Sequence, residues 1–503
     1  MQHGGMSPDS PEHDAERDDP VRNSARDEAL DGRGAAEADR TEEQNAQRTP
    51  GQAAGVRRAS QHLDLAAKTG AALLGSTAPA MEVVDAMLDI VEHGGVDHVD
   101  VDVTYSQITL THRPRIGPHS VELEHIRART FDYGRYVHAE MLVQRFLSGE
   151  LELDDALAQA GRLRRDAHRY PWWLTRLAAG TAGVAAAVIF GAGWITAVFA
   201  FIANVMVDWL FARLSSRAWP VFFTQAFAGV IAVAAAAGVN AISPEVDSSQ
   251  VVVSVIIMML AGMTSTGGVH DLITGWYLTG VGRLAEGVVN TVGLVVGIQI
   301  GIALAHGAGA ALTITPEVRF GADPLLLTAL TSAALAVCFG VWAQLPPRSF
   351  PLAALLSLIG WVLFGVAIDR DIDPVWASGI AAVVIGLASP VAAQLVRVPS
   401  WILASVAIVP LLPGVALYRG LFAGADGDVG TGMLLLLSAL GTALVLASGI
   451  TLGQYLTAAL LRGPFKLRSR FVPQFLGPFS TSRERIDRLS EAHDQEEDER
   501  SVD

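Results

Sequence analysis

From Pro171 onward the chain is a succession of apolar runs separated by short polar breaks. About 20 apolar residues in a helix cross roughly 30 Å of hydrocarbon. Runs of that order fall at 174–191, 194–212, 221–242, 251–269, 284–305, 324–343, 350–368, 375–394, 401–418 and 431–457, the last long enough to tilt or bend. The pattern predicts a polytopic α-helical membrane protein with about ten transmembrane helices, in a first five-helix half at 171–306 and a second at 324–463.

Residues 56–170 read differently. An amphipathic stretch runs from Val56 to Leu74, and Pro79 opens a second helix, Ala80 to Glu92, that stops at Gly94-Gly95. Val99 to Val103 and Ile108 to Thr111 alternate apolar and polar residues across Tyr105-Ser106-Gln107, which predicts a β-hairpin. A helix is expected from about Val121 to Phe146. Another is expected from Leu153 to His168, where Asp154-Asp155 near its start favours initiation. Together these predict a small α+β cytoplasmic domain. Residues 1–55 are acidic and polar, without the apolar segment of a signal peptide, and read as a disordered tail. Residues 464–503 form a C-terminal tail of similar character from Ser480.

Composition agrees with a membrane chain. Of 503 residues, 51% are hydrophobic and 17% charged, with mean hydropathy +0.36, where a soluble protein carries about 25% charged residues. The net charge of -15 comes largely from the polar ends and says little about partners. No basic run with interleaved aromatics points to nucleic acid. The one cysteine, Cys338, lies in an apolar run and reads as a small core residue. Arginines set the orientation: Arg162, Arg164, Arg165, Arg169 and Arg176 precede the first span, and alternate loops carry Arg213 with Arg217, Arg283, Arg348 and Arg397. Glu245, Asp247, Asp369, Asp371, Asp373, Asp426 and Asp428 sit in the opposite loops, alongside Arg319, Arg370 and Arg419. Both termini are therefore expected in the cytoplasm, with the spans in the inner (plasma) membrane.

The fourth and ninth runs echo each other, Leu260-Ala261-Gly262-Met263-Thr264-Ser265-Thr266 lying on Leu412-Pro413-Gly414-Val415-Ala416-Leu417-Tyr418. A repeat of five spans turns its second copy upside down, and inverted repeats with Gly- or Pro-interrupted helices mark secondary transporters. The plainer reading is that Gly and Pro are common in membrane helices. Breaks are expected at Gly262–Gly268 and at Pro410–Gly414, where two prolines free backbone carbonyls. Ionisable groups inside a bilayer are functional candidates. Asn204 and Asp208 share a helical face, as do Glu286 and Asn290, and His270-Asp271 follows the hydroxyl-rich Thr264-Ser265-Thr266-Gly267-Gly268. The alternatives stay open: Asp208 solvated at the interface, Glu286 paired with Arg283, the hydroxyls bonded back to their own helix. Single amides such as Asn240, Gln299 and Gln454 commonly join helices. No metal motif, no Walker A loop and no triad around Tyr105-Ser106 appears, so neither an enzyme nor a metal or other cofactor is expected.

The arrangement resembles the bacterial threonine/serine exporter family over about residues 60–460. The resemblance is carried by Leu73-Leu74-Gly75-Ser76, Glu82-Val83, the strand pair, Tyr170-Pro171, Gly191-Ala192-Gly193-Trp194, Asp271-Leu272-Ile273-Thr274-Gly275, Gly282-Arg283-Leu284-Ala285-Glu286 and Val409-Pro410-Leu411-Leu412-Pro413-Gly414 with Tyr418. It implies a cytoplasmic N-terminal domain, two five-helix halves, and proton-driven export of small hydrophilic amino acids, threonine and serine. In related systems the two halves are separate chains, and a carboxylate exporter is known among those systems. The sequence departs from the family at Ala261-Gly262, where Pro-Gly is usual. On this reading Thr264, Ser265, Thr266, Gly267, Gly268, Pro413, Gly414 and Tyr418 bind the solute, and Asp208, Asp271 or Glu286 carries the coupling proton. The expected partners are the amino acid, protons and the lipid bilayer, with homo-oligomerisation left open. The alternatives are export of a small dicarboxylate such as succinate, or a non-transporting membrane sensor.

Overall fold

The structure is a computed structural model describing residues 50–114, 119–126, 129–163, 169–256, 259, 262–310, 312 and 325–461. Both expected tails lie outside these apart from 50–55, as do Leu260, Ala261, Arg164, Arg165 and Arg319. The chain divides into residues 1–60 and 61–503. Of the first unit only Pro50–Ser60 is described, as the opening turns of α1 (Pro50–Gly75).

In the second unit, α1 continues to Gly75 and α2 (Ala80–His93) follows. β1 (Val99–Val103), β2 (Gln107–His112) and β3 (Ser120–His125) form an antiparallel sheet in the order β1-β2-β3. Val103 pairs with Ile108 and Leu110 with Glu122. α3 (Tyr133–Leu147) and α4 (Leu153–Leu163) complete the region. Period-two alternation puts Val99, Val103, Ile108 and Leu110 on the buried side of the sheet. They face helices whose apolar stripes bury Leu65, Leu73, Met87, Ile90 and Tyr136. The helix expected from Val121 to Phe146 is a correction: its first part is β3. Val121 and Leu123 alternate with Glu122 and Glu124, and this period-two segment pairs with β2 instead of starting a helix.

The apolar runs become α5 (Trp172–Ile189), α6 (Trp194–Ser215), α7 (Val221–Ile242), α8 (Ser248–Ile256), α9 (Gly262–Ile273), α10 (Tyr277–Gly307), α11 (Leu325–Trp342), α12 (Phe350–Ile368), α13 (Pro374–Val396), α14 (Ser400–Ala407), α15 (Gly414–Ala425) and α16 (Val429–Leu461). Among the described residues eight helices are long and apolar enough to cross a membrane. The pair α14 and α15, bent by 52° about the 3-10 turn Val409–Leu411, makes a ninth. This is an integral membrane protein. The run expected as the fourth span is two short helices, α8 and α9, neither of spanning length. The break expected at Gly262–Gly268 is not there. Helix α9 begins at Gly262, and Thr264–Gly268 is regular helix in which the Thr266 hydroxyl donates to the Gly262 carbonyl at 3.0 Å.

Helix pairing is duplicated along the chain. α5 packs on α6 as α11 on α12; α7 on α10 as α13 on α16; α9 on α10 as α15 on α16; and α6 on α8 as α12 on α14. Small residues permit the closest of these approaches. A Cβ at Gly297 would strike the Ala226 carbonyl, and one at Gly449 would lie 3.1 Å from the Gly379 carbonyl. Gly262, Gly268, Gly275, Gly280, Gly297 and Gly301 recur 152 residues later as Gly414, Gly420, Gly427, Gly432, Gly449 and Gly453. Gly275 and Gly427 both end a short helix in the left-handed region (φ 90° and 98°), where glycine avoids the side-chain clash.

Candidate functional site

The two helix breaks meet. A Cβ at Gly262 would lie 2.8 Å from the Leu412 Cβ and 3.0 Å from the Gly414 nitrogen, so the starts of α9 and α15 cross at van der Waals distance. Backbone groups left by the first break find side-chain partners, as buried polar groups must. Gln225 of α7 donates to the Met259 carbonyl at 3.2 Å, and Asn204 of α6 to the Ser254 carbonyl at 3.1 Å. Asn204 therefore joins helices. So does Gln454, which donates to Ser389 and Ser400.

Three cavities converge on this crossing, and Thr264 and Phe131 border all of them. The first, about 260 Å³, lies between the C-terminal end of α5 (Ile189) and the N-terminal end of α13 (Pro374, Val375). Its wall is mostly apolar and includes Gly262, Pro413 and Gly414. The third, about 390 Å³, lies at the opposite ends of the helices, by Trp172 and Arg176 of α5 and Trp342 of α11. Its wall carries Arg129, Asp208, Gln225, Glu286 and Asn290 among apolar neighbours. The second, about 60 Å³, sits between Arg129, Arg283, Glu286, Thr264 and Gly267. Phe131 packs its ring on Phe339 and Trp342, so Phe131, Thr264 and Trp342 separate the first cavity from the third.

The N-terminal region supplies part of this partition. The Tyr133 amide donates to the Ala343 carbonyl at 2.8 Å, and the Tyr170 hydroxyl to the Leu345 carbonyl at 2.7 Å. The Thr279 hydroxyl donates to the Val103 carbonyl at 3.0 Å. Arg135 holds the segment before α3 by donating to the Ser76 and Thr130 hydroxyls. Arg129 donates to the Tyr105 carbonyl, and its guanidinium lies 4.3 Å from the centre of the Tyr105 ring. Burial, helped by the positive Arg283, lowers the Arg129 guanidinium to about 10, which still leaves it cationic at neutral pH. Burial and the adjacent Glu286 push the Tyr105 phenol up to about 12, so it stays protonated and donates to the Glu286 carboxylate.

The three carboxylates singled out from the sequence have different surroundings. Asp271 is fully buried: one oxygen accepts from the Ala80 amide at 3.0 Å, at the N-terminus of α2, and the other lies 3.1 Å from Arg283. Arg283 in turn donates to the Ala78 carbonyl at 2.6 Å. The pair clamps Ala78-Pro79-Ala80 onto α9 and α10. Asp208 accepts from the Trp342 indole at 2.9 Å, lies 3.9 Å from Arg176, and borders the third cavity. Glu286 borders the second and third cavities.

The expected solute-binding residues scatter. Thr264, Gly267, Pro413 and Gly414 line cavities. Ser265 and Thr266 border none of the three, and Gly268 packs against the Gly280 carbonyl. Tyr418 is 1% exposed, stacks near Phe422 and also borders none; its hydroxyl lacks a hydrogen-bond partner among the described residues. The sequence reading missed Tyr105, Arg129, Phe131 and Trp342. Gly282 was a usable signal for the first, because a Cβ there would lie 2.7 Å from the Tyr105 Cβ.

A family model described as a threonine/serine exporter matches residues 64–305, and a second, described as threonine/serine exporter, ThrE, matches residues 328–456. A Mycobacterium tuberculosis protein named as a threonine/serine exporter is 31% identical over 81% of this chain and 79% of its own length. A Corynebacterium glutamicum protein named threonine/serine exporter is 27% identical over 80% of this chain and 83% of its own length. No solved structure matches. The chain belongs to the threonine/serine exporter family.

Proposed function

We propose that this member of the threonine/serine exporter family carries threonine, serine and similar small hydrophilic amino acids out of the cytoplasm in exchange for protons. The observation that carries the reading is the pair of cavities at opposite ends of the helices, divided by Phe131, Thr264 and Trp342 where two broken helices cross. A solute site at the meeting of interrupted helices is the hallmark of secondary transporters built from inverted repeats. The duplicated helix pairing and the glycines repeating every 152 residues support two halves of five spans each, α8 with α9 and α14 with α15 each counting as one broken span. Five spans per half turn the second over, and the arginine-rich ends put both termini in the cytoplasm.

The third cavity, with its charged side chains and on the side of the N-terminal region, is the entry vestibule, and the first is the exit. Glu286 is the favoured carrier of the coupling proton. Asp271 is committed to Arg283 and Ala80, and Asp208 to Trp342 and Arg176, whereas Glu286 faces two cavities with a neutral phenol on one side. A proton taken up by the Glu286 carboxylate from the outer side and released to the cytoplasm would couple one inward proton to one outward solute. The test is gradient-driven efflux of threonine in the variants Asp208→Asn, Asp271→Asn and Glu286→Gln. Loss of gradient dependence in Glu286→Gln is expected. Unchanged coupling in all three refutes the mechanism.

A further inference from the structure

Arg129 and Glu286 come from distant parts of the chain, the segment before α3 and the helix α10, yet both border the second and the third cavity. Tyr105 lies between them, its ring and carbonyl holding the guanidinium and its phenol the carboxylate, so one phenol ring separates the two charges. The Arg129 Nε is buried and has no hydrogen-bond partner among the described residues. A buried guanidinium donor without an acceptor is costly and marks a place for an anion. Thr264 and Asn290, neutral and polar, lie in the wall of the same cavity.

Resting on the reading of this chain as an amino-acid exporter, we propose that Arg129 and Glu286 are the recognition site for the zwitterionic end of the solute. The guanidinium takes the α-carboxylate, Glu286 takes the α-ammonium, and Thr264 and Asn290 meet the side-chain hydroxyl. Charge complementarity selects the ligand class. A dicarboxylate would bring a second anion against Glu286, and an amine without a carboxylate would leave Arg129 unpaired. Opposite charges in one cavity wall suit the ammonium and carboxylate common to all α-amino acids, so the small side-chain end sets the size limit. The groups about Glu286 are Tyr105 and Arg129 from the N-terminal region, Arg283 on its own helix with Asp271 of α9 behind it, and Asp208 of α6 and Arg176 of α5 across the vestibule. Arg283 is already bonded to Asp271 and Ala78 and does not compete for the solute. Because Glu286 also takes the coupling proton, ammonium and proton alternate on one carboxylate, which makes the exchange obligatory.

Counterflow of labelled threonine into proteoliposomes of the full chain needs no proton gradient and tests the site directly. Unlabelled threonine, threonine methyl ester (ammonium without carboxylate) and 3-hydroxybutyrate (carboxylate without ammonium) serve as competitors. In the unaltered protein each one-charge analogue should compete about 10-fold or more weakly than threonine, as expected for loss of one charged hydrogen bond. Arg129→Gln should raise the threonine KM about 10- to 100-fold and leave the potency of the ester unchanged. Glu286→Gln should do the same for threonine and leave 3-hydroxybutyrate unchanged. Should either variant fail to reconstitute, Arg129→Lys and Glu286→Asp are read in the same way, with smaller shifts. Normal threonine counterflow in the variants, or equal weakening of all three compounds, overturns the site while leaving the exporter reading intact. Absence of threonine counterflow in the unaltered protein overturns both.

Discussion

Removing one member of the buried Asp271–Arg283 pair should destabilise the protein more than removing both suggests. Asp271 is 0% and Arg283 4% exposed, so neither charge can turn to solvent. Breaking a buried ion pair from one side costs about 3–5 kcal/mol, chiefly because the surviving charge is left uncompensated. Asp271→Asn keeps an oxygen that can accept from the Ala80 amide, and Arg283 keeps its bond to the Ala78 carbonyl, so this variant belongs at the lower end, about 3 kcal/mol. Arg283→Met strands the Asp271 carboxylate and also orphans the Ala78 carbonyl, which places it near 5 kcal/mol, roughly the top of that range. The double variant leaves no buried charge behind and should fall short of the sum by about 2 kcal/mol or more. Equilibrium unfolding in mixed detergent and SDS micelles, followed by tryptophan fluorescence, yields the three differences. Additive losses, or single variants within about 0.5 kcal/mol of the parent, would refute the clamp, since only surface or independent sites behave so.

Other perturbations test other parts. Gly297→Ala drives a methyl into the Ala226 carbonyl where α7 meets α10 and should cost about 1–3 kcal/mol by the same unfolding assay, whereas Gly441→Ala, whose Cβ would have no neighbour nearer than 3.7 Å, should be close to neutral. Phe131→Ala removes the ring between the vestibule and the exit cavity, and should give a gradient-independent threonine leak in proteoliposomes without loss of folded protein. Tyr105→Phe keeps the ring under Arg129 and loses the hydrogen bond to Glu286; the expected result is a threonine KM raised about 5- to 10-fold at unchanged turnover, the scale of one hydrogen bond of about 1 kcal/mol.

Hydropathy located the helices well because a membrane span needs a long apolar run and little else. At the fourth run the described residues form two half-length helices, a distinction hydropathy alone does not make; Gly262 starts the second as Gly414 starts α15. β3 was obscured because its alternation covers only six residues, and Val121 and Leu123, 59% and 47% exposed, bury little. Thr264 and Glu286 stood out as polar residues in apolar surroundings, and both border cavities. Arg129, Phe131 and Tyr105 did not, because they sit in polar connections among many charged neighbours. Only the packing of those connections on α10 and α11 brings them to the crossing of the broken helices.

The central claim, proton-coupled export through Glu286, is tested most directly by threonine efflux from loaded proteoliposomes with an alkaline lumen and an acid exterior. Efflux should run faster than without the gradient for the unaltered chain, and at one gradient-independent rate for Glu286→Gln. An efflux rate in the unaltered chain that ignores the gradient, or a Glu286→Gln variant that responds to it like the parent, would contradict the account.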